Sequence, residues 1–303
     1  MTTDRDSDRP SALPWPYSVF VPERADAQHF MGSHWQPFVE DARQIIDRLP
    51  EIASNGLPAP GLASAPTPGR SLPATWPTGF QLVWPSAAHG LALTLRADAD
   101  ANHVADLFPF FATGARQTFR LREVIVWKGR MAAQIRAEWN GAEVTFFDTR
   151  FVLDRSRYDA DREYDFSLCG IAYAAGPAAT RVVRLPAAHV AALNPHLQAG
   201  ELRHAVDGVM HFDGAAIFLP IESWDIDDHE FRAPVKSVTP FEGWLGQDGW
   251  QLRATVMRVG DDDRDLDLDI LVTRRAWSGD APPQVGQDIR GRLWLQGSLA
   301  PPP

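Results

Sequence analysis

Two turn residues, Asn140 and Gly141, constrain the fold of this chain more than any other feature. They lie between two runs in which apolar and polar residues alternate, MAAQIRAEW and AEVTFFD. A two-residue hairpin turn needs positive φ at both positions, which Asn and Gly adopt readily. The turn then sets three apolar pairs on one face of the hairpin: Trp139 with Ala142, Ala137 with Val144, and Ile135 with Phe146.

Two further stretches carry hairpin signals. In VMHFDGAAIFLP, residues 209–220, Asp213-Gly214 predicts a second tight turn. In residues 250–273 a longer turn containing Asp261, Asp262 and Asp263 separates two alternating runs. One face of this third hairpin is apolar, and the other carries Arg and Thr on the first strand and three aspartates on the second. These three hairpin signals together predict a mostly β protein with a minor helical content.

A weak internal repeat relates the two strand-rich regions. A hairpin ends at Thr149-Arg150 and the strand DFSLCGIAY begins at Asp165; a second hairpin ends at Thr273-Arg274 and DIRGRLWLQ begins at Asp288. Each region therefore has the order of a small five-stranded Greek-key barrel. We expect two β-barrel or OB-like domains in tandem, with another pair of β-sandwiches or barrels as the alternative.

Composition divides the chain into segments. Residues 1–53 form an N-terminal arm with one helix near 36–49, and residues 54–79 form a linker rich in Pro, Gly and Ala. A further helix is predicted over 100–111. The predicted organisation continues with a first barrel at 80–186, a connector with a short helix and a hairpin at 187–231, and a second barrel at 232–303.

The charge balance limits the kinds of partner. The net charge is −10, and residues 186–303 contribute 10 basic and 18 acidic groups, a net of −8. That balance excludes a dedicated binder of duplex nucleic acid, whose affinity comes mostly from phosphate contacts. One cysteine, no long apolar run and a polar N-terminus predict a cytoplasmic protein that neither spans nor binds a membrane.

A basic stripe in the first barrel region is the first candidate binding surface. Arginines alternate with apolar residues there, and Glu123 is the acid within the stripe. Such a face suits single-stranded nucleic acid, which needs cations for phosphates and rings for bases. Contact with an acidic protein surface is the favoured alternative. The stripe comprises Arg116, Arg120, Arg122, Trp127, Lys128, Arg130 and Arg136.

The second candidate surface follows the last strand. Arg290, Arg292 and Trp294 occupy the face that alternation predicts to be wet. If this strand neighbours the aspartate ladder, its arginines pair with Asp267 and Asp269. The indole of Trp294 is too large to stay wet, so we expect it to be covered by its own protein, with an external partner as the alternative.

Catalytic and metal patterns are weak. His189, His196, His204 and His211 recur without the tight local pairs of a zinc site, and Cys169 lies in an apolar strand that favours an inert thiol. The segment from Asp225 to Glu230 is expected to be a solvated loop. We predict no cofactor and no metal, and interpret the chain as a non-catalytic interaction, scaffold or adaptor protein of unknown oligomeric state. Single-stranded nucleic-acid binding is the alternative, and a metal-dependent hydrolase using His211, Asp213, Asp228 and His229 is the weaker one.

Overall fold

The structure is a computed structural model, and it describes residues 19–22, 33–59, 72, 74–178, 182–185, 208–258 and 265–300. Most of these residues lie in β-strands, which confirms the mostly β class. The strands are β1 Phe20–Pro22, β2 Leu57–Pro58, β3 Thr78–Pro85, β4 His89–Ala97, β5 Asn102–Phe111, β6 Ala115–Val126, β7 Ala133–Trp139, β8 Ala142–Asp148, β9 Glu163–Pro177, β10 Val182–Leu185, β11 Gly208–His211, β12 Ile217–Pro220, β13 Asp228–Trp244, β14 Gln247–Arg258, β15 Asp265–Thr273 and β16 Asp288–Leu299. The α-helices are α1 Arg43–Ile46, α2 Leu49–Asn55 and α3 Phe151–Asp154, with short 3-10 helices at Ser33–Trp35 and Arg155–Arg157.

Most strands belong to one ten-stranded sheet of order β1-β6-β7-β8-β16-β9-β15-β14-β13-β12. A separate four-stranded sheet has the order β2-β3-β4-β5, and β10 pairs with β11. Two extra pairings, β6 with β9 and β16 with β13, bend the large sheet back on itself. The strands of the large sheet therefore form closed rings through these pairings.

Strand pairing closes two rings that share β9 and β16. The first ring runs β6-β7-β8-β16-β9 and returns to β6, and the second runs β13-β14-β15-β9-β16 and returns to β13. One edge of β9 pairs with β16, and its other edge pairs with β6 in the first half and with β15 in the second half. In the same way, the free edge of β16 pairs with β13 in its first half and with β8 in its second half. The strands that the internal repeat matched, beginning at Asp165 and Asp288, are these two shared strands.

The hairpin at Asn140-Gly141 is confirmed in register. Trp139 pairs with Ala142, Ala137 with Val144 and Ile135 with Phe146, and both turn residues have positive φ. The third hairpin is also present as β14 and β15, where Arg253 pairs with Asp269 and Thr255 with Asp267. Local turn chemistry and alternation therefore determined these two registers.

Several predicted elements are wrong or unconfirmed. The two rings share strands within one sheet, so separate tandem OB-like barrels are not confirmed, and neither is the helical arm. The helix predicted over 100–111 is wrong, because Asn102–Phe111 form strand β5, which pairs with β4. The predicted helix at 36–49 is replaced by α1 and α2, and Pro50 sits in the first turn of α2, where its missing N–H costs nothing.

The predicted hairpin across Asp213-Gly214 is also wrong. Its first strand, β11, pairs with β10, and its second strand, β12, pairs with β13. A turn signal reverses the direction of the chain locally, but each flanking strand can still pair with a strand from elsewhere in the chain, as β11 does with β10 and β12 with β13. The short helix expected in the connector lies outside the described residues.

Two buried clusters hold the structure together. One fills both rings, with residues such as Phe146, Phe166, Leu252 and Leu293. The other lies between the shared strands and a cover made of the four-stranded sheet and residues 33–55. Its members include Trp35, Phe38, Ile52, Val83, Leu91, Phe108, Phe147, Ile171 and Trp294.

Candidate functional site

Trp294 lies at the centre of the covered cluster. Its side chain is fully buried. The ring of His34 stacks on the indole with centroids 3.8 Å apart and planes at 6°. The indole N–H donates to Asp227 Oδ2 at 3.1 Å. The chain itself therefore covers this tryptophan, and the indole is not open to an external partner in this structure.

The acidic segment before β13 is buried, contrary to the expected solvated loop. Asp225, Asp227, Asp228 and His229 are each no more than 3% exposed. Neighbouring side chains hold the carboxylates by three hydrogen bonds: Gln134 Nε2 to Asp225 Oδ1 at 2.8 Å, Trp294 Nε1 to Asp227 Oδ2 at 3.1 Å, and Tyr173 Oη to Asp228 Oδ1 at 2.6 Å. Alternation gives no signal for this burial, because it would bury Trp224 and Ile226 instead, and Trp224 is 36% exposed.

Burial changes the protonation of this segment. Desolvation raises the pKa of Asp225 and, more strongly, that of Asp227, where the nearby Asp225 and Asp228 add to the effect. Burial raises the pKa of Asp228 to about 7, although the Tyr173 hydroxyl opposes the shift. Burial also lowers the pKa of His229 to about 4. Burial therefore favours the protonated form of these carboxyls and the neutral form of the imidazole.

The proposed hydrolase residues do not form a metal centre in the part of the chain that the structure describes. No group of three or more His, Cys, Asp or Glu side chains is placed to hold an ion there. Asp213 is exposed, and the side chain of His211 lies outside the described residues, as do His189, His196 and His204. Cys169 is buried, and burial with nearby Asp269 raises the pKa of its thiol.

Next to the buried segment, four strands present an open face to solvent. Strands β12, β13, β16 and β9 lie side by side in that order. Their outward side chains form two cross-strand rows: Leu219, Glu230, Arg292 and Ala174 in one, and Ile217, Arg232, Arg290 and Gly176 in the other. We call this surface the arginine groove; it encloses about 520 Å³, and Ser278 and Pro177 lie at its rim.

Two cations face each other in this groove. Arg232 and Arg290 are directly paired across β13 and β16. Arg232 turns toward Asp288, with Nη2 to Oδ2 at 3.2 Å. The exposed guanidinium of Arg290 has no ion pair or hydrogen bond with any residue that the structure describes. Asp288 neutralises Arg232, so Arg290 is the cation of this pair that has no counter-ion among the described residues.

Arg292 lies on the other row of the groove. Its Nε is 3.6 Å from Glu230 Oε1, and its guanidinium lies 5.4 Å from the ring centroid of Trp224. Trp224 in turn packs edge-on against Tyr173, whose hydroxyl binds Asp228. The predicted pairing of Arg290 and Arg292 with Asp267 and Asp269 is wrong, because β16 neighbours β13 and β9. Those aspartates pair instead with Lys236 and Arg253.

The basic stripe of the first ring is largely neutralised. Acids from β7, β8, β9 and the loop before β9, together with Glu123 of the stripe itself, form ion pairs with these arginines. The pairs are Arg116 with Asp165, Arg120 with Glu163, Arg122 with Glu138 and Asp161, and Arg136 with Glu123 and Glu143.

The other three members of the stripe differ from these. The Trp127 ring packs 5.4 Å from that of Phe147, and Arg130 lies 5.3 Å from the centroid of Trp76. Lys128 is exposed and has no partner among the described side chains. Judged by the described part of the chain, the stripe is therefore not a continuous basic track, and Lys128 is its cation without a partner.

No protein-family model, no curated protein and no solved structure matches the chain. Among the described residues, no helix has both the length and the apolar character to span a bilayer.

Proposed function

We propose that this chain is a non-catalytic binding protein and that the arginine groove receives an acidic, extended segment of a partner protein. The observation that carries the proposal is Arg290, an exposed cation placed opposite Arg232 without a counter-ion among the described residues. A carboxylate at the Arg290 guanidinium would supply its missing counter-ion and accept charge-assisted hydrogen bonds.

The apolar residues that line the groove favour an extended protein segment as its ligand rather than a free ion. Ile217 and Leu219 of β12 flank the arginines, and Leu219 is 57% exposed. Among the described strands β12 pairs with β13 alone, so it is the edge of the ten-stranded sheet. A partner segment in which acidic and apolar side chains alternate would match the charged and apolar positions of the two rows.

The fold supports binding in a second way. We propose that each ring is a small OB-like barrel, since each has three consecutive antiparallel strands and closes through one parallel pairing, β8 with β16 or β15 with β9. Barrels of this kind bind ligands on exposed strand faces and loops. A cytoplasmic location is part of the same proposal, and the single buried thiol is consistent with it.

A direct binding measurement tests the groove. The probe is a fluorescent peptide of alternating Glu and Leu, and the readout is its anisotropy at low and at physiological salt. Wild-type protein is expected to bind the peptide more weakly at higher salt, because the contacts are exposed. Arg290→Glu is expected to weaken binding by at least about tenfold, since it replaces attraction by repulsion at the central contact.

Lys128→Glu is the matched control, because Lys128 is also an exposed cation without a described partner but lies on the first ring. It should leave peptide affinity unchanged. Equal affinity of wild type and Arg290→Glu, or no peptide binding at low salt, would refute the groove. A labelled oligothymidylate that binds wild type and Arg290→Glu but loses affinity in Lys128→Glu would instead favour single-stranded nucleic acid at the stripe.

A further inference from the structure

A second, smaller pocket lies between the first ring and the segment that leads into β13. It encloses about 220 Å³. The first ring contributes Arg136, Glu143 and Thr145 to its lining, and the segment from Pro220 to His229 contributes the rest. The volume is below the range of about 300–1,000 Å³ that drug-sized ligands occupy. The occupant must therefore be small.

His229 places a hydrogen-bond acceptor at this pocket. Its Nδ1 lies 3.1 Å from the carbonyl oxygen of Asp227, and a carbonyl can only accept, so Nδ1 carries the proton. Nε2 of the neutral ring therefore bears a lone pair, and no described residue bonds to it. The ring is held in place by Phe218, which stacks on it at 4.3 Å and 2°. The acceptor is thus rigid as well as unpartnered.

Two less exposed polar groups, Thr145 and Arg136, line the same pocket, as do the exposed carboxylates of Glu143 and Glu222. Thr145 is 8% exposed, and its hydroxyl makes no hydrogen bond to any part of the chain that the structure describes. Arg136 pairs with Thr145 across β7 and β8, and its Nε–H is buried without a hydrogen bond although Glu143 Oε1 lies 3.3 Å away. The pocket therefore presents a donor, an acceptor, and a hydroxyl that can be either.

The combination of groups selects the chemistry of the ligand. An ammonium group meets the like charge of Arg136 and cannot accept its hydrogen bond, and a carboxylate meets the like charges of Glu143 and Glu222 and cannot donate to His229. A hydroxyl group does both. Pro220, Ile221, Trp224 and Ile226 supply apolar walls for the carbon skeleton. We infer that this pocket binds a small, uncharged, polyhydroxylated molecule, a monosaccharide or cyclic polyol.

Ligand-observed NMR with titration calorimetry tests this inference on the full chain. The probes are glycerol, D-glucose and myo-inositol, with butylammonium and propionate as the two charged comparisons. At least one polyol is expected to bind with a Kd on the order of 1 mM, and the charged compounds are expected to bind more weakly. Thr145→Val keeps the side-chain shape and removes the hydroxyl, so it should reduce polyol affinity by about tenfold.

Thr239→Val, an exposed threonine on β13, is the control and should leave polyol affinity unchanged. His229→Leu removes the acceptor and provides a second, independent loss of affinity. Circular dichroism and the melting curve establish that each variant is folded. The inference is overturned if none of the three polyols binds, if butylammonium or propionate binds as well as they do, or if Thr145→Val binds them like wild type.

Discussion

Replacing Trp294 by alanine is expected to lower the free energy of unfolding by about 3–5 kcal/mol, the range for large-to-alanine changes in cores. The indole is fully buried and packs against His34 at 3.8 Å and Phe147 at 5.1 Å. The substitution leaves a cavity beneath the four-stranded sheet and its N-terminal cover. It also removes the donor to Asp227 Oδ2, leaving a buried acceptor without its partner.

Urea denaturation followed by circular dichroism measures this effect. The midpoint should fall while the denaturant dependence stays the same, because the same surface is exposed on unfolding. Trp224→Ala is the matched control, since that indole is 36% exposed and covers no core. It should cost less than about 1.5 kcal/mol. A Trp294→Ala protein as stable as the Trp224→Ala protein would contradict the covered position of Trp294.

Stability should also fall as the pH rises from about 5 to about 8, by several kcal/mol. Burial raises the pKa of Asp106, of Asp148 and of Asp228 to about 7. In the unfolded chain an aspartate ionises near pH ~3.9. The folded state therefore holds these protons over a range in which the unfolded state has lost them, and their contribution to stability is lost as the pH rises to about 7.

His229 has the opposite effect over part of this range. Its pKa is lowered to about 4 in the folded protein, against ~6.5 in an unfolded chain. The neutral ring therefore favours folding as the pH rises from about 4 to about 6.5. The three carboxyls outweigh the single imidazole, so the net effect between about pH 5 and pH 8 is a loss of stability as the pH rises.

Asp228→Asn isolates the contribution of the buried segment. The amide imitates the protonated carboxyl and cannot ionise, so the variant should be more stable than wild type at about pH 8 and similar at about pH 5. Asp280→Asn, an exposed substitution, should leave the pH curve unchanged. Melting temperatures across this pH range give the comparison. A wild-type protein that becomes more stable toward pH 8 would show that these carboxyls are solvated.

Sequence reasoning succeeded where the structure is local. Asn140-Gly141 and the alternation around it were enough to give the register of β7 with β8, because a two-residue turn leaves one pairing. The same reasoning recovered β14 with β15. It failed at Asp213-Gly214, where the flanking strands pair with β10 and β13 rather than with each other. Pairings between distant segments leave no comparable mark on a single sequence.

The candidate sites show the same limit. Arg290 and Arg292 were found by alternation, but their true neighbours, Arg232 and Glu230, come from a strand that the sequence could not place beside them. The acids that neutralise the basic stripe also come from other strands. The sequence predicts a solvated loop for the acidic segment, but the structure buries it. Aspartates are buried only beside suitable hydrogen-bond partners, and these partners, Gln134 and Tyr173, come from distant strands.

The sharing of β9 and β16 has a consequence for the order in which this chain can fold. The first ring is built from residues 115–177 together with the end of β16, which lies more than a hundred residues later. On the ribosome, β6 to β9 therefore emerge long before the strand that closes them, and their edges stay open until residues 288–299 have been synthesised. Neither ring can therefore fold on its own. Because most strand pairings join distant parts of the chain, we expect folding to be slow. Both rings are then completed together, late in folding.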